Sequence, residues 1–306
     1  MKNITAVTVS MNRTEHLKKC IEAVAKIKNV SNHIIIDYSS KEPIYIHEDN
    51  VEVFRVDNEK FWWITRAYNA GFSLIKTDYI LKIDADVIID HSYFNNLKYF
   101  NYDHVLFTNN KNDAGNFLVK KDLLNGVNGF NEFIVRGYDD HDLLNRIKNN
   151  NPKLSYKVVM NKIVKLDHLD EKRVSSSNSI LFKKGVNYYY ALVKAYNDYN
   201  GYISSKNYWS NKKQKIYILD GNILKICHNF YINELKIFDL YKCKWIFLKT
   251  FFNIYFLNQD NILKKIFKKI LPIIFIFIHV SLIKILTGFE IFPSKKYYKF
   301  SSQNNK

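Results

Sequence analysis

The chain has 306 residues, weighs 36.4 kDa, and is 47% hydrophobic and 25% charged. That is enough apolar material for one large core or two modest ones, and too much for global disorder. Its three cysteines, Cys20, Cys227 and Cys243, form no CxxC pair, which excludes a disulfide scaffold and argues against structural zinc. The net charge of +17 is uneven: residues 1–210 hold 29 Lys and Arg against 24 acids, whereas residues 211–306 hold 17 Lys, no Arg and 5 acids.

In chain order, the apolar, β-branched run from Ile4 to Ser10 predicts a strand. Thr14 then stands as a helix cap before Leu17, Cys20, Ile21 and Val24 at i, i+3, i+4 and i+7. His33 to Asp37 and Val51 to Val56 read as strands. Trp63, Ala67, Ala70, Gly71 and Leu74 share one helical face, and Tyr79 to Ile83 reads as a strand that delivers Asp84-Ala85-Asp86. This β-α-β-β-α-β order implies a mainly parallel sheet with helices on its faces. Ligands of such sheets bind beyond the carboxyl ends of the strands. The polar residues after Ser10, at Asp37 and at Asp84 to Asp86 are therefore expected on one sheet edge.

Two constellations carry chemistry. Asp84 and Asp86, at i and i+2, point the same way if the chain stays extended. Two hard oxygen donors there suit Mg²⁺ or Mn²⁺ facing a diphosphate; the other reading is an acid pair that caps the next turn. Farther on, Gly137-Tyr138-Asp139-Asp140-His141-Asp142 precedes the apolar face of Leu143, Leu144 and Ile147, which puts the acids at a helix N-terminus. Acids there satisfy orphan N–H groups and meet the helix dipole. Three exceed what capping needs, and an ionised one can take a proton from a hydroxyl. Trp62 and Trp63 divide between core and a ring that stacks on a sugar. Gly115 and Asn116 mark a turn.

The blocks MNRTEHLKK, FWWITRAYNAGF, YILKIDADVII and NGVNGFNEFIVRGYDDHDLLNRI resemble the inverting GT-A glycosyltransferases of family 2 type. The last block is similar to the β-1,4-galactosyltransferase and chondroitin-polymerase signature, an NGF segment followed by GWGxEDxDxxNR. The resemblance runs over about residues 4 to 170 and implies a nucleotide-diphospho-sugar transferase fold. It places Asn12, Arg13, Asp37, Arg66 and Asp84 at the nucleotide-sugar. Asp86 and His168 become metal ligands for Mn²⁺ or Mg²⁺, Asp140 the general base, and Tyr138 and Asp139 acceptor contacts. Apart from the resemblance, His168 reads more readily as a structural histidine than as a ligand, and Arg66 as the partner of an acid. The sequence departs from the signature at Arg136-Gly137, where a tryptophan usually precedes the glycine, and at Asp139, where Glu is usual. A third departure is Lys165, where relatives can supply a further ligand.

The implied activity is inverting transfer of a hexose or N-acetylhexosamine. Galactose or N-acetylgalactosamine from a UDP-sugar would go to a hydroxyl of a growing surface glycan such as lipooligosaccharide or capsule. The alternative is a catalytically inactive nucleotide-sugar-binding scaffold at the membrane. The fold expected is α/β: a GT-A catalytic domain over 1–210 and a basic, mostly helical extension over 211–306. Lysines among Ile, Phe and Tyr in that extension suit an anionic membrane surface; nucleic-acid readers lean on Arg, so no nucleic-acid partner is expected. Ile270 to Ile283 is an apolar run of about 14 residues, short of the roughly 20 of a spanning helix. It reads as an interfacial segment or as a helix buried against the domain. With no signal-peptide pattern at the N-terminus, the expected location is cytoplasmic, peripheral on the inner face of the cytoplasmic membrane.

Overall fold

The computed structural model describes residues 4–59, 62–110, 114–134, 137–166, 186–206, 209, 216–227 and 237–257. The chain divides into two compact units, one of residues 1–168 with 209–227, the other of 169–208 with 228–306.

The first unit is built on β1 (Ile4–Ser10), α1 (Thr14–Ala25), β2 (Val30–Tyr38), β3 (Val51–Val56), α2 (Ile64–Ser73) and β4 (Tyr79–Lys82). The short elements β5 (Val87–Ile89), α3 (His91–Asn96), β6 (His104–Thr108), β7 (Asn116–Lys120) and α4 (Lys121–Gly126) follow. α5 (Asp139–Asn150), β8 (Tyr156–Met160), β9 (Ile163–Lys165), β10 (Ile216–Asp220) and β11 (Ile223–Cys227) complete it. The main sheet has the order β10-β11-β3-β2-β1-β4-β7-β6-β8, and β5 pairs with β9 in a second, two-stranded sheet. β1 runs parallel to β2 and β4, β2 to β3, and β6 to β8; β7 lies antiparallel between β4 and β6.

The register produces the expected edge. Ser10 lies opposite Asp37 and Val7 opposite Lys82, so β1, β2 and β4 run out on the same side. All seven residues of β1 and all four of β4 are buried, as expected of central strands covered on both faces. Leu17, Cys20, Ile21 and Val24 of α1 are buried as their spacing predicts. Gly71 lets α2 approach this sheet: a Cβ there would lie 2.6 Å from Val7 Cγ1.

Two local expectations change. Thr14 is the first helical residue and Arg13 takes the cap position, without a side-chain cap bond. That position serves an ion pair instead, described below. Residues 216–227, expected within a mostly helical extension, form a β-hairpin with Gly221 at φ 57°, and β11 runs parallel to β3. The backbone N–H of Arg55 donates to the Asn222 carbonyl at 2.8 Å and docks the hairpin.

In the second unit, α6 (Val186–Ser205) and α7 (Ile237–Leu257) bury Ala191, Ala195, Tyr199 and Ile203 on one helix and Cys243, Phe247 and Phe251 on the other. Both sets repeat every four residues, the period of a helix face. Thr250 Oγ1 donates to Asp198 Oδ2 at 2.7 Å. Among the described residues, no helix is long and apolar enough to cross a membrane. The runs 262–269 and 270–283 lie outside the described residues.

Candidate functional site

At the end of β4 the chain leaves the extended form. The Val87 N–H donates to the Asp84 carbonyl at 3.0 Å and closes a turn, so the simple i, i+2 alternation expected for Asp84 and Asp86 stops there. The two carboxylates take different partners. Asp84 Oδ1 accepts from Tyr68 Oη at 2.8 Å and from Lys82 Nζ at 2.9 Å, while its backbone N–H donates to Asn116 Oδ1 at 2.9 Å. Asp86 Oδ2 lies 3.5 Å from Arg13 Nη1.

Lys82 brings two elements together. Its side chain is fully buried, and its ammonium lies 2.9 Å from Asp84 Oδ1 and 3.3 Å from Asp140 Oδ1 and donates to the Gly115 carbonyl. Burial opposes this charge, but Asp140 and Asp84 outweigh it and raise the lysine's pKa. Burial alone would raise Asp84; Lys82 reverses that and lowers it. Sequence reasoning took Lys82 as part of an apolar run. The signal available was a lone lysine two residues before Asp84 in a strand with no other charge.

Asp139, Asp140 and Asp142 occupy the first turn of α5, as expected. The cap residue before them, Tyr138, makes no side-chain cap bond; it is held left-handed at φ 65° and follows Gly137 at φ 78°. A bulky residue in that region is strained. Two successive left-handed residues give the sharp entry that places Asp140 against Lys82. The Tyr138 ring meets that of His141 at 5.7 Å. Asp139 is buried, and burial, with the Asp140 charge beside it, pushes its carboxyl up to about 7.

The other anticipated residues lie as follows. Asn12, left-handed at φ 60°, donates its backbone N–H to Ser40 Oγ at 2.9 Å and accepts from the Lys41 N–H at 2.8 Å. It thereby joins the β1–α1 turn to the loop after β2. Asp37, the penultimate residue of β2, is buried beneath that loop. It accepts from the backbone N–H groups of Ser40 at 3.0 Å and Ile44 at 3.2 Å and pairs with Arg55. Arg66 does pair with acids, the half-buried Glu59 at 3.7 Å and the buried Glu132 at 3.5 Å, with its guanidinium 3.8 Å from the Trp63 ring centroid. Trp63 is the core member of the tryptophan pair. Trp62 is half-buried, edge-on to Tyr38 at 5.8 Å. The structure thus joins Asp84 to Asp140, Arg13 to Asp86, and Asn12 to Asp37 through Ser40, while Arg66 pairs with Glu59 and Glu132.

Asp84 and Asp86 carry hard carboxylate oxygens of the kind Mg²⁺ and Mn²⁺ take. Among the described residues no group of three potential ligands is assembled. His168 and Arg136 lie outside the described residues. Leu166, two positions before His168, donates its N–H to the Asp86 carbonyl at 2.7 Å.

Residues 5–146 match the model of the family described as glycosyl transferase family 2. The mixed α/β layout is the GT-A fold that the sequence resemblance implies. Among solved structures the chain is similar to the catalytic domain of Drosophila beta1,4galactosyltransferase 7 in complex with xylobiose. The two are 15% identical over 76% of this chain and 97% of that one, with a TM-score of 0.49. It is also similar to TarS 1-349 of S. aureus, at 12% identity over 81% and 80% of the two chains and a TM-score of 0.47. A third likeness is to glucosyl-3-phosphoglycerate synthase from Mycobacterium tuberculosis in complex with Mn²⁺, UDP and phosphoglyceric acid. That match has 12% identity over 71% and 83% of the chains, with a TM-score of 0.44. No curated protein matches the sequence.

Proposed function

We propose that this chain is an inverting glycosyltransferase. In this reading it moves a hexose or N-acetylhexosamine from a nucleotide-sugar, a UDP-sugar of galactose or N-acetylgalactosamine, to a hydroxyl of a growing surface glycan. The observation that carries the reading is the meeting of Asp84 and Asp140 on one buried ammonium, inside the segment that matches family 2. Asp84 follows a strand at the edge where ligands of parallel sheets bind; Asp140 lies in the first turn of a helix, where the dipole favours an ionised carboxylate. Asp140 takes the proton of the acceptor hydroxyl. The acceptor oxygen bonds to the anomeric carbon as the bond from that carbon to the diphosphate breaks, and attack from the face opposite the leaving group inverts the centre. Asn12, Arg13, Asp37, Arg66 and Asp84 serve the donor, and Tyr138 and Asp139 the acceptor. Asp86 and His168 are the residues for Mn²⁺ or Mg²⁺, which when bound offsets the charge of the diphosphate.

The test is thermal stabilisation by UDP-, GDP-, CMP- and dTDP-sugars, each with and without Mn²⁺, in the wild type and in Asp86→Ala. We expect a shift with UDP-sugars that needs the metal and is lost in Asp86→Ala. A folded protein that no donor stabilises would remove the donor site. An Asp86→Ala chain that keeps a full metal-dependent shift would remove Asp86 as ligand.

In this reading the enzyme works at the cytoplasmic face of an anionic membrane, where a lipid-linked acceptor is presented; the lysine-rich composition of the C-terminal region supports it. Co-sedimentation with phosphatidylglycerol vesicles is expected to fall in high salt and on deletion of residues 260–306. Equal binding by the full and shortened chains would reject this role for the tail.

A further inference from the structure

We propose that Lys82 is a positioning residue for transfer, whose ammonium holds the carboxylate of Asp140 in place relative to that of Asp84. The inference deepens the glycosyltransferase reading and rests on it. Tyr79, Ile80 and Leu81 are all buried, and a central strand with both faces covered is satisfied by apolar residues. Lys82 is nevertheless fully buried. Exchange of a buried ion pair for apolar groups is often neutral or stabilising, so stability alone does not account for a charge at this place.

The local geometry does account for it. The ammonium donates to Asp84 Oδ1 and to the Gly115 carbonyl, and its charge faces Asp140 Oδ1 as an ion pair at 3.3 Å. Aromatic rings wall the lysine, with Nζ 4.4 Å from the centroid of Tyr68 and 5.9 Å from those of Phe117 and Phe130. Asp84 and Asp140 retain 29% and 24% exposure while the lysine has none. The cation therefore reaches both carboxylates from the protein side and leaves them open to ligand on the other. Without it, Asp84, Asp139 and Asp140 would be mutually repelling groups on two separate elements. Asp140 would then swing toward water, away from the line of attack.

Lys82→Met keeps the length of the stem and removes the charge, and both carboxylates are exposed enough to be hydrated, so the variant is expected to fold. Its kcat is expected to fall about 100-fold, the scale of a lost general base, with donor KM changed less than about fivefold. The decisive readout is a double-mutant cycle with Asp140→Asn. If Lys82 acts through Asp140, Lys82→Met in the Asp140→Asn background costs less than about threefold further. Losses that multiply would overturn the proposal, as would a folded Lys82→Met with kcat within twofold of wild type. If Lys82→Met alone does not fold, Lys82→Gln, which keeps a donor without the charge, enters the same cycle under the same criteria. A wild-type chain that transfers no sugar from any nucleotide donor overturns the glycosyltransferase reading, and the role of Lys82 falls with it. Transfer by the wild type with an additive cycle overturns the role of Lys82 alone.

Discussion

Asp140→Asn is expected to lower kcat by about 10²–10⁴-fold, the usual contribution of a positioned general base. The donor dissociation constant should stay within about threefold. Asparagine has nearly the same shape and keeps an oxygen facing Lys82, but its amide cannot hold the proton of an attacking hydroxyl. Single-turnover transfer beside calorimetric donor binding separates the two quantities. A fully active variant would remove Asp140 as base; a loss confined to donor binding would move it to the donor side. The same substitution has a readout in stability. Burial and the neighbouring Asp140 charge push Asp139 up to about 7, above an unfolded value of about 3.9. A carboxyl raised in the folded state stabilises fully below its unfolded value, and that contribution is lost as pH rises toward its folded value. Wild-type stability should therefore carry a falling component between about pH 4 and pH 7. Asp140→Asn removes one cause of the shift and should shrink that component, measured as denaturation midpoint against pH.

How much of this was readable from the residues depends on how local each signal was. β1 was legible because a buried strand advertises itself by a short, apolar β-branched stretch between turns; β3, with only Phe54 and Val56 buried, showed itself by its valines alone. The convergence of Ser10, Asp37 and Asp84 on one edge followed from topology, because parallel strands all end on the same edge of their sheet. α5 was legible because its acids and its 3.6-residue apolar period agree. Lys82 was not legible, because a charge in an apolar strand shows its meaning only through partners on other elements. Gly115 and Asn116, read as a turn, supply two of the contacts that fix Lys82 and Asp84. The hairpin of β10 and β11 carries a local signal, Gly221-Asn222 between apolar runs. The high lysine content of the surrounding region obscured it. Thr14 shows a different limit: its type suits a cap, but the position before it holds Arg13, whose guanidinium faces Asp86.

The largest effect on stability is expected from Arg146→Met. Asp142 and Arg146, four residues apart on α5, form a two-pronged ion pair: Nε lies 2.8 Å and Nη2 2.6 Å from Asp142 Oδ2, with 0% and 4% of the two side chains exposed. Nη1 also donates to the carbonyls of Val127 at 2.7 Å and Gly129 at 2.9 Å. On its other side, that segment is held by Asn69 of α2. Asn69 accepts from the Phe130 N–H at 2.8 Å and donates to the Phe130 carbonyl at 2.9 Å. Gly129 is the residue that permits this approach, at φ 63°, with a Cβ there falling 2.4 Å from Asn69 Oδ1. One arginine thus fixes the helix carrying Asp139 and Asp140 to the segment before it. Loss of one partner of a buried pair costs about 3–5 kcal/mol, because the remaining charge stays buried. For a unit of this size that lowers the Tm by about 10 °C. The double variant Arg146→Met/Asp142→Leu leaves no buried charge and should recover most of the loss, as paired apolar replacement does elsewhere. Thermal unfolding of the two single variants and the double decides the matter. If Arg146→Met lies within about 1 kcal/mol of wild type, or the double is no better than Arg146→Met, the pair is not what holds α5. The position of Asp140 would then depend on the Lys82 contact and the left-handed turn at Gly137 and Tyr138.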